Sequence, residues 1–223
     1  MTASRARRWD AGVVRPTDRD VAVLRFAGEQ YGLPLPVVVA LYGCGDAVGR
    51  RHASRLVRAG FAVREYGPRG GLWLVPTRRG LRYVGLAYEA WSLSAWKGEH
   101  VATVARLRLA LAAQYPEATW TSERAIRSRW AGSGARVRFA DGQLNFEAVC
   151  VGVELELHRK LPRDYEGIAA DVDPAFDECW WFCRTADVAW LRGVLDGVPK
   201  PPRPEHVVIA LAGELAGVLG VRG

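Results

Sequence analysis

The feature that most constrains the fold is an alternating stretch at residues 151–160, with the sequence VGVELELHRK. Apolar side chains alternate there with glycine and charged or polar side chains: Val151, Val153, Leu155 and Leu157 with Gly152, Glu154, Glu156 and His158. A period of two is typical of a β-strand and directs the two sets to opposite faces. The stretch therefore predicts a half-buried strand that needs a sheet to join and carries two carboxylates and an imidazole on one side.

Length and composition bound the class of protein. A chain of 223 residues suits one large or two small domains, and an apolar content of 49% with nine Trp allows a sizeable core. Apolar runs fall short of the roughly 20 residues of a membrane span, and the start of the chain does not resemble a secretory signal. The four cysteines form no CxxC pair, so free thiols are expected rather than a zinc site. These features predict a cytoplasmic protein without a membrane partner.

Positive charge is concentrated in the first part of the chain. Residues 1–90 hold 15 Lys and Arg against 7 Asp and Glu, whereas residues 91–223 hold 16 against 17. A basic module joined to a nearly neutral one predicts a polyanion-binding unit attached to a second body.

Capping residues and periodicity order the first 92 residues. Thr17 is a candidate N-cap for a helix that ends near Gly32, Pro36 opens a short helix closed by Gly43, and Asp46 is a candidate N-cap for a third helix. Two short strands around GPRG then predict a hairpin, followed by a further helix.

This order is that of a winged helix-turn-helix, in which the third helix enters the major groove of duplex DNA. The third helix and the hairpin tip supply the candidate DNA-binding residues: Arg50, Arg51, Ser54, Arg55, Arg58 and Arg69. The same pattern is compatible with a solvated basic face, and winged helices also serve as protein-binding modules.

The second half predicts a mixed sheet with helices on its faces, so the chain as a whole is expected to be α+β. Residues 119–132 are expected to be helical or to contain a helix start, with Thr121 and Ser122 as candidate caps. Residues 135–140 are expected to form a strand that leads into a turn at Asp141. The predicted organisation is a flexible basic N-terminus (1–16), a winged helix-turn-helix (17–92), an α/β domain (93–198), and a Pro-rich linker with a closing apolar helix (199–223). His100, at a helix start, is expected to be structural.

Acidic residues of the second half form the other candidate site. Strand-borne carboxylates at Asp141, Glu154 and Glu156 can converge on one divalent cation, for which oxygen ligands favour Mg²⁺ or Mn²⁺. Such an ion would activate water at a phosphodiester, with Lys160 stabilising the developing charge. The alternative is an exposed edge strand whose acids are solvated or paired with nearby arginines.

Four short motifs, VPTRRGLRYV, TWTSERAIR, FADG and VELELHRK, occur in this order over residues 75–160. In order and spacing the chain resembles the actinobacterial replication–relaxation family of plasmid and mobile-element proteins, with a PD-(D/E)xK nuclease-like domain. The resemblance implies a restriction-endonuclease-like fold, metal ligands at Asp141, Glu154 and Glu156, a fourth acid at Glu123, and Lys160 as charge stabiliser. Glu156, however, stands where active members usually place lysine.

The expected function is therefore double-stranded DNA binding by a protein of a plasmid, phage or integrated element, with a second domain that would bind Mg²⁺ and nick DNA. The alternatives are a transcriptional regulator with a degenerate, non-catalytic nuclease-like domain, and an accessory factor that acts through interactions alone. A homodimer is expected, DNA binding is expected to need no metal, and no small-molecule cofactor is expected.

Overall fold

The structure is a computed structural model, and it describes residues 15–67, 70–130, 139–171, 176–198 and 204–211. The chain divides into two compact units, which meet in sequence between Leu93 and Ser94. Both units combine helices with β-strands, so the protein is α+β as predicted. In the part of the chain that is described, no helix has the length and apolar character needed to cross a membrane.

The first unit is built on three helices, a hairpin and a short fourth helix. Its elements are α1 (Asp18–Glu29), β1 (Leu33–Pro34), α2 (Leu35–Tyr42), α3 (Asp46–Arg58), β2 (Ala62–Tyr66), β3 (Leu72–Pro76) and α4 (Arg78–Tyr83). The antiparallel pair β2–β3 forms the predicted hairpin, and β1 adds to the free side of β3. The tip at residues 68–69, which includes Arg69, lies outside the described residues.

Helix caps in the first unit explain where its helices begin and end. Thr17 is the N-cap of α1, as predicted, and forms a capping box with Asp20. Gly43 ends α2 with a φ of 59°, a left-handed conformation that glycine adopts without strain. Two predicted caps are wrong: the N-cap of α3 is Gly45 rather than Asp46, and α1 ends before Gln30, ahead of the expected Gly32.

The second unit is a five-stranded mixed sheet with helices. Its elements are α5 (Ala95–Gln114), β4 (Thr119–Ser122), α6 (Glu123–Trp130), β5 (Gly142–Asn145), β6 (Cys150–Glu156), α7 (Pro162–Asp171), β7 (Glu178–Cys183), α8 (Val188–Asp196) and β8 (Glu205–Ala210). The strand order is β4-β5-β6-β7-β8. Strands β4, β5 and β6 pair antiparallel, and β6, β7 and β8 pair parallel.

Strand β6 lies at the centre of this sheet and is covered on both faces. Its Val153 and Leu155 belong to a core cluster that includes Leu107 and Leu111 of α5. A second core cluster joins β7 to α7 and α8: Cys179, Trp181, Tyr165, Ile168, Leu191 and Leu195 are among its members. As a result Glu154 is 2% and Glu156 5% exposed, and the alternative of an exposed edge strand is wrong.

Three further expectations for the second unit need correction. Residues 205–210 form strand β8 rather than a closing helix, because β-branched Val207, Val208 and Ile209 suit the open edge of β7. Thr119–Ser122 forms strand β4 rather than part of a helix, whereas the helix start at Glu123, capped by Ser122, is as predicted. Asp141 precedes β5, and the turn to β6 lies at residues 146–149. The expected strand before Asp141, the Pro-rich linker, the N-terminal tail and the end of the chain fall mainly outside the described residues.

Candidate functional site

A cationic surface is formed by one side of α3. Arg50, Arg51 and Arg58 are exposed, whereas the opposite side of the helix is buried through Ala53 and Leu56. Nε of Arg50 lies 2.6 Å from Oδ2 of Asp46 one turn earlier, and both side chains remain more than half exposed (57% and 61%). An ion pair this exposed contributes little stability, so Arg50 can leave Asp46 for another anion at low energetic cost.

Arg55, predicted with these residues on the outer side, is placed differently. Its guanidinium forms an ion pair with Asp20 of α1, whose side chain is fully buried. Asp20 also accepts a hydrogen bond from the Tyr42 hydroxyl at 2.7 Å. Arg55 therefore ties α3 to α1 and α2, and its predicted outward position is corrected.

Charge and hydrogen bonding around Asp20 fix its protonation state. Burial works to raise the pKa of Asp20, but hydrogen bonds from Thr17 and Tyr42 and the charge of Arg55 outweigh it, so the pKa is lowered. Burial, reinforced by the hydrogen bond to this carboxylate, raises the pKa of Tyr42. The ring of His52, on α3, stacks on that of Tyr42 with centroids 4.5 Å apart.

Ser54 connects α3 to the hairpin. Its hydroxyl donates to the Arg50 carbonyl at 2.7 Å and accepts a hydrogen bond from the Arg64 guanidinium of β2. The predicted DNA-binding residue Ser54 is thus half-buried and engaged within the unit. Its contact joins the helix and the hairpin into one surface.

The predicted acidic residues gather at one edge of the second unit's sheet. Gly142 pairs with Ser122 on one side and Val153 on the other, which brings the start of α6, Asp141 and the end of β6 to the same edge. Ser122 Oγ accepts from the Ala125 N–H at 3.3 Å and so caps α6. Glu123, the first residue of that helix, pairs with Arg127 at 2.6 Å.

Both carboxylate oxygens of Asp141 have partners within the unit. Oδ1 lies 2.8 Å from Nε2 of His100, and Oδ2 accepts a hydrogen bond from the backbone N–H of Leu155 at 2.8 Å. The second contact fixes Asp141 against β6. The first brings into the site a histidine that the sequence marked only as structural.

His100 is a member of this site by electrostatics as well as distance. Burial works to lower the pKa of His100, but the hydrogen bond to Asp141 and the charges of Asp141, Glu123 and Glu156 outweigh it and raise the pKa. His100 lies on α5, 41 residues before Asp141, so no local sequence signal links the two.

Lys160 reaches back past the end of β6 to Glu156. Its ammonium forms an ion pair with the nearly buried Glu156 carboxylate and lies 5.6 Å from the centre of the Tyr165 ring. The backbone N–H of Lys160 donates to the Tyr165 hydroxyl at 3.2 Å, and burial raises the pKa of Tyr165 to about 12. The loop after β6 is therefore held so that the lysine points toward the acidic edge.

The carboxylates do not form a metal-ligand cluster as they are placed. Among residues whose positions are described, no three His, Cys, Asp or Glu side chains are grouped so that they could hold a metal ion. Asp141 and Glu156 are instead held by His100, a backbone amide and Lys160. The donor set has the oxygen chemistry of a Mg²⁺ site but not its arrangement.

Comparisons with known proteins show no family for this chain. No protein-family model matches the sequence, and no curated protein matches it. Two solved structures have weak similarity in shape. One, the crystal structure of protein VC1899 from Vibrio cholerae, has a TM-score of 0.34 and 10% identity over 93% of this chain and 56% of its own. The other, PigF with SAH, has a TM-score of 0.23 and 14% identity over 87% of this chain and 57% of its own. The chain thus spans little more than half the length of either protein.

Proposed function

We propose that the protein binds double-stranded DNA through its first unit, which has the element order of a winged helix-turn-helix. In this proposal α2 and α3 are the helix-turn-helix and β2–β3 is the wing. The observation that carries it is the exposed arginine surface of α3, formed by Arg50, Arg51 and Arg58, beside a hairpin that Arg64 ties to the same helix.

The dimensions and charges of this surface suit a duplex. An α-helix fits the major groove, and arginine can hydrogen-bond to phosphates and to guanine edges with the same planar group. The excess of Lys and Arg over acids is confined to the first 90 residues, which supports a polyanion partner for this unit. Arg50 would exchange its exposed Asp46 partner for a phosphate.

The buried network around Asp20 gives the helix a rigid support. Asp20, Tyr42 and Arg55 connect α1, α2 and α3. A recognition helix held by buried polar contacts keeps its outward side chains in register with the groove. Arg55 therefore acts in this proposal as a positioning residue rather than as a DNA contact.

Salt-dependent binding tests the proposal. Fluorescence anisotropy of a labelled mixed-sequence duplex should give an affinity that falls steeply with salt. Each phosphate contact removed should lower the slope of log K against log salt by about 0.9. Arg51→Ala and Arg58→Ala should each show this loss, whereas Arg192→Ala, an exposed arginine on α8, should not. Equal effects at all three positions, or no binding by the wild type, would refute the proposal.

A second candidate function is metal-dependent cleavage of a phosphodiester by the second unit. The gathering of Asp141, Glu154, Glu156 and Lys160 at one sheet edge favours it, as does the similarity in motif order to PD-(D/E)xK nucleases. Binding of Mg²⁺ or Mn²⁺ would require His100 and Lys160 to release the carboxylates that they hold. Without that release, the second unit is a non-catalytic body of a transcriptional regulator.

Plasmid nicking separates these two versions. Supercoiled plasmid incubated with either ion should be nicked by the wild type and spared by Asp141→Ala and Glu154→Ala if the second unit is a nuclease. Glu147→Ala, on the exposed β5–β6 turn, is the matched control. Intact plasmid with both ions would leave DNA binding as the function. Plasmid or phage context, a homodimer and a cytoplasmic location are further parts of the proposal.

A further inference from the structure

Tyr66 is the most exposed large hydrophobic side chain among the described residues, with an exposed fraction of 77%. It is the last residue of β2, where the hairpin extends toward its tip. A ring exposed to this extent at a hairpin end is a large contact surface that no element of the described chain covers.

The strand places Tyr66 on the side of the hairpin that faces α3. Residues two apart on a strand share a face, and Arg64 on this face donates a hydrogen bond to Ser54 of α3. The opposite face is used differently, because Oε2 of Glu65 accepts a hydrogen bond from the backbone N–H of Leu93 at 2.7 Å. Tyr66 therefore lies with Arg64 in the angle between helix and hairpin.

The direction of the strand brings Tyr66 toward the arginines of α3. The backbone N–H of Phe61 donates to the Leu56 carbonyl, and three residues later Arg64 reaches Ser54. Along β2 the contacts thus move from Leu56 to Ser54, in the direction of the start of α3, and Tyr66 lies about 7 Å further along the strand. Arg50 and Arg51 lie in the turn of α3 that precedes Ser54.

We infer that Tyr66 is a non-ionic DNA contact, in which its ring packs against deoxyribose and base edges beside the groove occupied by α3. The inference rests on the proposed function. Arginines alone would bind any polyanion of suitable shape, whereas an aromatic ring in the same angle adds a contact for the sugar and base surface of a nucleic acid. Arg64 positions the ring, because its hydrogen bond to Ser54 fixes the hairpin against the helix.

The test measures the affinity of the full-length protein for a fluorescein-labelled mixed-sequence duplex of about 30 base pairs, roughly three helical turns. Tyr66→Ala should weaken binding roughly tenfold through loss of aromatic burial, with the salt slope unchanged. Tyr66→Phe should bind like the wild type, because the ring is retained. The matched control is Tyr83→Ala, which removes the exposed tyrosine of α4.

The possible outcomes distinguish failure of the proposed DNA binding from failure of the inference about Tyr66. If the wild type does not bind the duplex, the proposed function fails and the inference falls with it. If the wild type binds and Tyr66→Ala binds equally well, only the inference fails. A lower salt slope for Tyr66→Ala, or an equal loss for Tyr83→Ala, would also overturn it, since the ring would then act through charge placement or overall folding. Unfolding midpoints of all variants exclude loss of folded protein.

Discussion

The fully buried carboxylate of Asp20 forms an ion pair with the guanidinium of Arg55, 35 residues further along the chain. The pair joins the first turn of α1 to the last turn of α3, and the Tyr42 hydroxyl completes it from α2. One side chain thus organises three helices. The surface proposed to bind DNA depends on this contact without including it.

Arg55→Ala should lower the free energy of unfolding by about 2–3 kcal/mol, because it leaves the Asp20 carboxylate buried without its cation. Urea denaturation measures the change. Arg51→Ala, in the preceding turn of α3 but exposed, should change stability by less than about 0.5 kcal/mol. An Arg55→Ala variant as stable as the wild type would contradict the structural role assigned to Arg55.

Asp20 should make the protein sensitive to acid. Its pKa is lower in the folded state than the ordinary value of 3.8 for an aspartate, so the unfolded chain binds the proton more tightly. The stabilisation is fully present above that value and is lost as the pH falls through the lower folded pKa. Asp20→Asn should therefore flatten the stability curve in this acid range, as chemical denaturation at a series of pH values would show. A slope equal to that of the wild type would count against the contact network.

His100 should have the opposite pH dependence. Burial works to lower the pKa of His100, but Asp141 and neighbouring acids outweigh it and raise the pKa above the ordinary value of 6.5 for a histidine. The stabilisation it contributes is fully present below that value and is lost as the pH rises through the higher folded pKa. NMR titration of His100 measures the shift directly, and Asp141→Asn should move the pKa downward. The assignment would be untenable if that variant left the titration unchanged.

The ion pair between Lys160 and Glu156 should appear as an energetic coupling. Lys160→Met should cost about 1–2 kcal/mol, since Glu156 is nearly buried but Lys160 is partly exposed. In a Glu156→Gln background the same change should cost much less, and a double-mutant cycle of unfolding free energies gives the difference. Additive effects would mean that the pair contributes nothing in solution.

Packing around the acidic edge should depend on Gly142. A Cβ there would lie 2.0 Å from the Trp120 ring, so Gly142→Ala should destabilise the protein by about 1–3 kcal/mol through overpacking. Gly167→Ala is the matched control, because α7 leaves open space at that position. It should be neutral or stabilise by up to about 1 kcal/mol. Thermal unfolding compares the two variants. A destabilised Gly167→Ala would show that the room available for a Cβ atom does not explain the difference between the two positions.

Much of the first unit could be predicted because its signals are local. Thr17, Gly43 and the hairpin glycines act within a few residues of the helix and strand ends that they determine. The ion pair of Arg55 could not be predicted, because helical periodicity gives the direction of a side chain but not the residue that it contacts. The partner, Asp20, stands in the first turn of α1, where acidic residues are common, and is buried only through tertiary contacts.

In the second unit the strand carrying Glu154 and Glu156 was predicted, but its burial was not. Alternation of apolar and acidic residues is typical of a strand with one solvent-exposed face, whereas β6 is covered on both faces. For strand β8 the sequence predicts a helix instead. Its apolar run does not alternate with polar residues, so periodicity cannot distinguish a strand from a helix there. His100 was missed because its contact with Asp141 arises only from the fold.

The segment that leaves the first unit is part of that unit's folded surface. Leu93 is hydrogen-bonded to Glu65, and the ring of Trp91 lies 5.7 Å from that of Tyr31 and 6.5 Å from that of Trp73. A proteolytic or recombinant fragment that stopped at residue 86 would lack these contacts and leave two aromatic rings more open to water. A stable, isolated fragment of the first unit should therefore include the chain through Leu93.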